Sequence, residues 1–569
     1  MDNAARKQAE FAAPDDDHPA INAILGANPF VDLDAWQIVG TLTRFARHLL
    51  DRPGVVASRV VELGLEVAQV AAGISDIAPE PSDKRFNDPA WREHPGFRRV
   101  MQSYLAWRTA MHELVGDDAF EDWKDAEQMR FAVTLLTEAL APTNTLGGNP
   151  AALKRAFDTA GSSLVAGLKN FASDLIWNNG MPLQVDKRPF TVGKNLAVSP
   201  GAVVFRNPVC EVIEYAPATE KVFERPLLLI PPQINKFYIM DLAPGRSFIE
   251  YAVKHGIRMF AISWRNPTAA NRDWGLDDYV AACRQALEVA CEISGSADCN
   301  VLGICAGGIT TALLLGHLAA ARANLVHSAT LLVTMLDTSM PSMTGMFATE
   351  ELIEAAARRS REKGVLDGAS MSRVFSWLRP NDLVWNYWVN NYLMGQSPPP
   401  FDILYWNADS TCLPAKLHEG FLDVFMRNPL ARAGGVEILG TPVDLRAVKN
   451  DLYLVAGATD HICAWRACYR ATRMFGGAIE FVLGSSGHIQ SLVNPPGNFK
   501  SRYHIGARLP EDPDAWLKGA AENKGTWWDH WIKWIGARSG WEKPAPTALG
   551  SERHRPGDPA PGLYVHEQH

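Results

Sequence analysis

The chain has 569 residues, more than one compact core accommodates, and its 47% hydrophobic and 21% charged content is that of an ordinary globular protein. A net charge of −8 offers no basic field for nucleic acid, and no apolar run reaches the roughly 18–20 residues of a membrane span. The eight cysteines form no CxxC pair and no Cys/His cluster of zinc spacing, so they read as free thiols in a reducing cytoplasm, with no metal expected.

Residues 1–30 are polar, carry Pro and Asp, lack the apolar segment of a secretory signal, and are expected to be flexible. From 31 to 195 the pattern is helical. Stretches 57–72 and 97–114 repeat apolar residues at i, i+3 and i+4, which predicts a helical N-terminal domain. From 196 to 569 the texture is that of a second domain. Residues 202–205 and 211–215 read as a hairpin-like strand pair, and 226–230 and 258–264 as buried strands. A helix over 278–294 leads into a strand at 300–302, with further strands at 328–333, 452–456 and 479–483. Strands alternating with helices predict a mostly parallel α/β sheet. The stretch 335–435, rich in Met, Trp, Asn and Pro, breaks the pattern and is expected to be a lid inserted over the strand ends. The tail carries Trp527, Trp528, Trp531 and Trp534 on one predicted helix. Large cores account for the 18 tryptophans and 23 phenylalanines better than an apolar tunnel or a sticky surface does.

The most telling motif is Gly303-Ile304-Cys305-Ala306-Gly307. It has the G-x-S-x-G spacing of a nucleophile elbow, with cysteine in place of serine. Small residues two before and two after the nucleophile let the chain turn sharply from strand to helix. On its own the pentapeptide fits a small core cysteine equally well. The apolar run before it and the helix-like 309–315 after it supply the strand–elbow–helix context the motif requires. A thiolate is a strong nucleophile and a good leaving group, which suits passing an acyl group between thioesters.

In the α/β-hydrolase order an acid and then a histidine follow the nucleophile. Asp460 stands directly after the 452–456 strand, and His488 lies in a Gly/Ser loop just after the 479–483 strand. Each alone reads as a turn residue or a solvated histidine; the three in the required order read as a triad. His461 is the rival base, but it follows the acid directly and its side chain is expected to face away. His317, on the helix after the elbow, reads as a packed or surface residue. The oxyanion hole is expected to combine the Ala306 N–H with one from the 231–236 loop, where Gln233 or Ile234 could donate and Ile234 is preferred.

With these residues in place, the chain resembles the polyhydroxyalkanoate synthases from about residue 80 to the C-terminus. The likeness rests on RFNDPAW (85–91), APTNTL (141–146), PPQINKFY (231–238), SWRNP (263–267), GICAGG (303–308), NDLVWNYWVNNYL (381–393), GTPVDL (440–445) and SSGHIQSLVNPPGN (485–498). PPQINKFY, APTNTL and the spacing of Cys305, Asp460 and His488 are similar to the medium-chain-length (class II) branch. Thr334 departs from it, standing where serine is expected in many members of that branch.

The resemblance implies an α/β-hydrolase fold and an acyltransferase that polymerises (R)-3-hydroxyacyl-CoA into polyester with release of CoA. It implies that Cys305 carries the growing chain as a thioester and that His488 takes its proton. Asp460 would work mainly with the incoming 3-hydroxyl. No metal or redox cofactor is implied: the CoA thioester is the substrate and free CoA a product. Dimers seated on polymer granules in the cytoplasm are the expected assembly. A cysteine-dependent thioesterase or esterase of the same fold is the alternative, and a non-catalytic granule scaffold a third reading.

Overall fold

The continuous apolar run Leu227–Ile230 becomes a strand with every residue buried, as a strand covered on both faces must be. It lies within a ten-stranded sheet. The computed structural model describes residues 35–568 except 117–119, 121–122, 341–349, 369–370, 372–375 and 378. The stretch 1–30, expected to be flexible, lies outside the described residues, as does part of 335–435.

The sheet strands are β1 (Gly201–Arg206), β2 (Cys210–Tyr215), β3 (Leu227–Ile230), β4 (Met259–Trp264), β5 (Cys299–Ile304), β6 (Val326–Leu332), β7 (Asp451–Gly457), β8 (Ile479–Gly484), β9 (Arg502–Ile505) and β10 (Ala521–Lys524). Their order is β1-β2-β4-β3-β5-β6-β7-β8-β9-β10. β4, β3, β5, β6, β7 and β8 run parallel, while β1, β2, β9 and β10 pair antiparallel at the two ends. The reversal of β3 and β4 in an otherwise sequential run, with an antiparallel β2, is the strand arrangement of the α/β-hydrolase fold. Every strand expected from the sequence forms. β9 and β10 were not expected: they are short, polar strands at the sheet edge, and Ala521-Glu522-Asn523-Lys524 carries no apolar alternation.

The chain divides into two compact units. One comprises Asp32–Gln184 with Arg373–Pro399, and the other Val185–Ser372 with Pro400–His569. The first unit is helical: α1 (Ala35–Asp51), α2 (Pro53–Ala72), α3 (Pro95–Glu113), α4 (Trp123–Ala139), α5 (Pro150–Asp158) and α6 (Ser162–Trp177). The stretch expected as one lid is therefore shared between the units. Residues 379–399 pack on α6, where a Cβ on Gly167 would stand 1.8 Å from the Tyr392 carbonyl oxygen. Asn170 Nδ2 donates to the carbonyls of Asn391 and Gln396 at 3.0 Å, and the Tyr392 hydroxyl donates to Asp174 at 2.8 Å. Trp388 and Tyr392 meet Phe171 edge-on. Their aromatic faces thus find partners on the helical unit.

The sheet unit is covered by α7 (Leu276–Ser294), α8 (Ala306–Ala320) and α9 (Trp528–Gly536) among others. α7 ends on Gly295 at φ +64°, a left-handed cap that costs glycine little. On α9, Trp528 and Trp531 point into the core with Trp527 just before them, and Phe248 packs against all three. The tryptophan-rich tail is therefore core. Among the described residues no helix is long and apolar enough to cross a membrane.

Candidate active site

β5 ends at Ile304 and α8 begins at Ala306, so Cys305 alone makes the turn between them. It does so at φ +50°, ψ −118°, a conformation that costs a non-glycine residue energy and is kept only where the surroundings enforce it. The surroundings are tight. A Cβ on Gly303 would stand 2.3 Å from Thr311 Oγ1 and 2.8 Å from the Gly308 Cα. One on Gly307 would stand 2.4 Å from the carbonyl oxygens of both Ile230 and Pro231. One on Gly308 would stand 1.9 Å from Thr334 Oγ1. Thr334 is buried directly behind the elbow, its hydroxyl donating to the Leu332 carbonyl at 2.9 Å.

Asp460 follows β7 and His488 follows β8, so both sit with Cys305 at the carboxyl ends of parallel strands. The two loops are tied together. Ala458 N–H donates to the Gly484 carbonyl at 2.8 Å, and a Cβ on Gly457 would stand 2.6 Å from the Ser486 carbonyl oxygen. Asp460 Oδ1 accepts the backbone N–H groups of Ile462 and Cys463 at 2.8 and 2.9 Å. Its Oδ2 lies 2.7 Å from His488 Nδ1. An ionised carboxylate only accepts, so Nδ1 carries the proton and Nε2 is left for the thiol. The Cys305 thiol and the His488 ring each act on the other's protonation. The structure thus brings together all three residues expected from the sequence. The ring that meets Asp460 is that of His488 and not of His461. His317 is buried on α8, its Nδ1 2.7 Å from Thr441 Oγ1.

Burial pulls the His488 ring toward the neutral form, but the charge and hydrogen bond of Asp460 outweigh it and push the ring up to about 10. The neighbouring Cys463 thiol and burial hold the Cys305 thiol up, while the His488 ring acts the other way. Cys463 was not singled out by sequence reasoning. The available signal was its place three residues after Asp460 in the same tight loop. Asp460, Cys463 and His488 each offer a ligand atom within 4.8 Å of the others, a donor set a divalent cation could use.

The 231–236 loop crosses the elbow. Pro231 carbonyl accepts from Trp264 Nε1 at 2.9 Å, and Gln233 Nε2 donates to Thr310 Oγ1 on α8 at 2.9 Å. Gln233 carbonyl accepts the Thr411 hydroxyl at 2.6 Å and Ile234 carbonyl the Thr411 N–H at 3.3 Å. The Gln233 side chain therefore fastens this loop to the elbow helix, and Ile234 is buried in the loop. Ala306 is the first residue of α8, where a backbone N–H has no partner within its own helix.

Residues 82–252 match the family described as the N-terminus of poly-beta-hydroxybutyrate polymerase (PhaC), and residues 226–495 match the alpha/beta hydrolase fold. The chain is 49% identical to poly(3-hydroxyalkanoate) polymerase 1 of Ectopseudomonas oleovorans, over 96% of this chain and 97% of the relative. It is 48% identical to polymerase 2 of the same organism, over 96% of each chain. It is 40% identical to the poly(3-hydroxyalkanoate) polymerase subunit PhaC of Cupriavidus necator, over 87% of this chain and 85% of the relative. The chain belongs to the polyhydroxyalkanoate synthases, acyltransferases that act on hydroxyacyl-CoA.

Proposed function

We propose that Cys305, His488 and Asp460 are the catalytic residues of this polymerase. The observation that carries the assignment is the His488–Asp460 pair, 2.7 Å apart in the loops after β8 and β7, at the same strand ends as the Cys305 elbow after β5. In the first step the thiol proton passes to His488 Nε2 and the sulfur attacks the thioester carbonyl of (R)-3-hydroxyacyl-CoA. CoA leaves as its thiol with the proton from His488, and the acyl group stays on Cys305 as a thioester. Asp460 stabilises the imidazolium by its charge and also stands ready to engage the incoming 3-hydroxyl. That hydroxyl then attacks the acyl-cysteine: the ester C–O bond forms, the C–S bond to Cys305 breaks, and the freed thiol attacks the CoA thioester of the lengthened chain, releasing CoA, so that repetition lengthens the polyester. The oxyanion is assigned to the N–H groups of Ala306 and Ile234. The first sits at a helix start and the second in the loop held against that helix by Gln233.

Medium-chain monomers are the proposed preference, supported by the PPQINKFY and APTNTL motifs. Thr334, packed behind the elbow, is the position proposed to admit shorter ones. The homodimer, cytoplasmic location and seating on polymer granules are likewise proposed from the family likeness. Burial of Asp460 and His488 would exclude water, which otherwise hydrolyses the thioester.

Purified protein given (R)-3-hydroxyacyl-CoA is expected to release CoA and form insoluble polymer. Rapid CoA release yielding only free hydroxy acid would instead make it a thioesterase of the same fold.

A further inference from the structure

The loop that carries the Ile234 N–H does not hold its shape alone. A second segment, 406–411, runs along it and meets it nearly residue by residue. Trp406 Nε1 donates to the Lys236 carbonyl at 2.7 Å. Asp409 accepts the Tyr238 hydroxyl at 2.7 Å and pairs with the buried Lys236 ammonium at 2.8 Å. Ser410 and Asn235 form an antiparallel bridge. Thr411 then closes on the tip of the loop: its hydroxyl donates to the Gln233 carbonyl at 2.6 Å and its N–H to the Ile234 carbonyl at 3.3 Å. Thr411 is itself fixed. It is buried, a Cβ on Gly368 would stand 2.6 Å from its carbonyl oxygen, and the Cys412 N–H beside it donates to Asn266 Oδ1 at 2.9 Å. On its other side the loop lies on the elbow. Gln233 Nε2 holds Thr310 at 2.9 Å, and a Cβ on Gly307 would stand 2.4 Å from the Pro231 carbonyl oxygen.

The Gln233 carbonyl and the Ile234 N–H belong to one planar trans peptide and point in opposite directions. Holding the carbonyl on Thr411 therefore sets the direction of the N–H and turns it away from Thr411. Ile234 is buried, and among the described residues no hydrogen-bond partner meets that N–H. Buried backbone donors are nearly always paired, so one left over suits an acceptor that arrives with the substrate.

We propose that Thr411 is a positioning residue for the acylation of Cys305, its hydroxyl aiming the Ile234 N–H at the thioester oxygen. When the sulfur adds to the carbonyl carbon, the C–S bond to Cys305 forms and the C=O π pair moves onto oxygen. The Ile234 N–H donates to that oxygen while it is charged. The pair returns as the C–S bond to CoA breaks, and CoA leaves as its thiol with the proton from His488. Attack of the 3-hydroxyl on the acyl-cysteine passes through an oxyanion of the same kind and uses the same donor. Thr411 acts throughout by way of one peptide plane.

The proposal rests on the assignment of the second oxyanion donor to Ile234, and its test separates the two. Thr411→Val keeps the volume and the backbone N–H and removes the hydroxyl. First-turnover CoA release from (R)-3-hydroxyacyl-CoA by the full-length protein is expected to slow about 10- to 100-fold, with KM little changed. Thr411→Ser keeps the hydroxyl and is expected to recover most of the rate. Alkylation of Cys305 by iodoacetamide, followed by peptide mass, forms no oxyanion. It is expected to proceed in Thr411→Val as in wild type, which a general loosening of the site would not allow. Thr411→Ala serves the same comparison should the valine variant fail to fold. Gln233→Leu frees the loop from α8 and reads the part the loop plays independently of Thr411. Wild-type acylation in Thr411→Val with slowed acylation in Gln233→Leu would overturn the proposal and leave the loop in the oxyanion hole. Wild-type acylation in both would remove the loop from the hole as well. A Thr411→Ser variant as slow as Thr411→Val, or equal loss of acylation and alkylation, would also overturn the proposal.

Discussion

The Asp460 carboxylate holds His488 from one oxygen at 2.7 Å while its other oxygen is fixed by the N–H groups of Ile462 and Cys463. The carboxylate cannot swing, so the ring orientation is set by the backbone of the loop after β7. Asp460→Asn keeps the shape and removes the charge. Burial then dominates, and His488 is expected to titrate below its ordinary value of 6.5 instead of near 10. Histidine ring NMR across pH checks this, with polymerisation expected to fall about 100-fold or more.

The same pair carries a stability signature. His488 binds its proton more tightly folded, with a pKa of about 10, than unfolded at 6.5. Its contribution is therefore fully present below pH 6.5 and is lost as pH rises through about 10. Denaturant midpoints of wild type and Asp460→Asn are expected to differ most at the low end of this window and to converge above it.

Gly307→Ala places a methyl group against two backbone carbonyls, those of Ile230 and Pro231, that cannot move aside as a side chain can. The elbow must shift, and a displacement of about 1 Å at a nucleophile costs on the order of 100-fold in rate. Activity is expected to collapse while far-UV circular dichroism stays close to wild type.

The elbow, the acid and the base were legible because each stands next to an apolar run that had to be a strand. Once those strands were placed, Cys305, Asp460 and His488 had to emerge at the same sheet edge. Cys463 was not legible, because its nearness to His488 arises from the curl of the loop around Asp460, and no periodicity marks it. The fate of 335–435 was hidden for a similar reason. Its tryptophans read as a lid, but where Trp388 and Tyr392 pack depends on Gly167 and Phe171, more than 200 residues away in sequence. The edge strands β9 and β10 are too short and polar to show a period.

Thr334→Ser removes a methyl group packed against Gly308. A loss of about 0.5–1.5 kcal/mol in stability is expected, the usual range for deleting one buried methyl. If the space behind the elbow governs monomer size, polymer made from a mixture of short and medium hydroxyacyl-CoA substrates should shift toward longer monomers. Gas chromatography of the methanolysed polymer measures it.

Glu214 and Arg258 form a buried ion pair at 2.6 Å between β2 and the start of β4, and Glu214 Oε2 also accepts the Gly550 N–H at 2.6 Å. Glu214→Ala leaves the guanidinium buried and alone. The expected cost is about 3–5 kcal/mol, with earlier proteolysis of the C-terminal segment. Urea unfolding and limited proteolysis check the two effects separately.

The central claim is that the chain grows on Cys305. Labelled (R)-3-hydroxyacyl-CoA, mixed with stoichiometric protein, quenched in acid and digested, should leave the label on the peptide carrying Cys305 as a hydroxylamine-sensitive thioester. Cys305→Ala should hold none and release no CoA. Label on another residue, or CoA release and polymer formation by Cys305→Ala, would contradict the account.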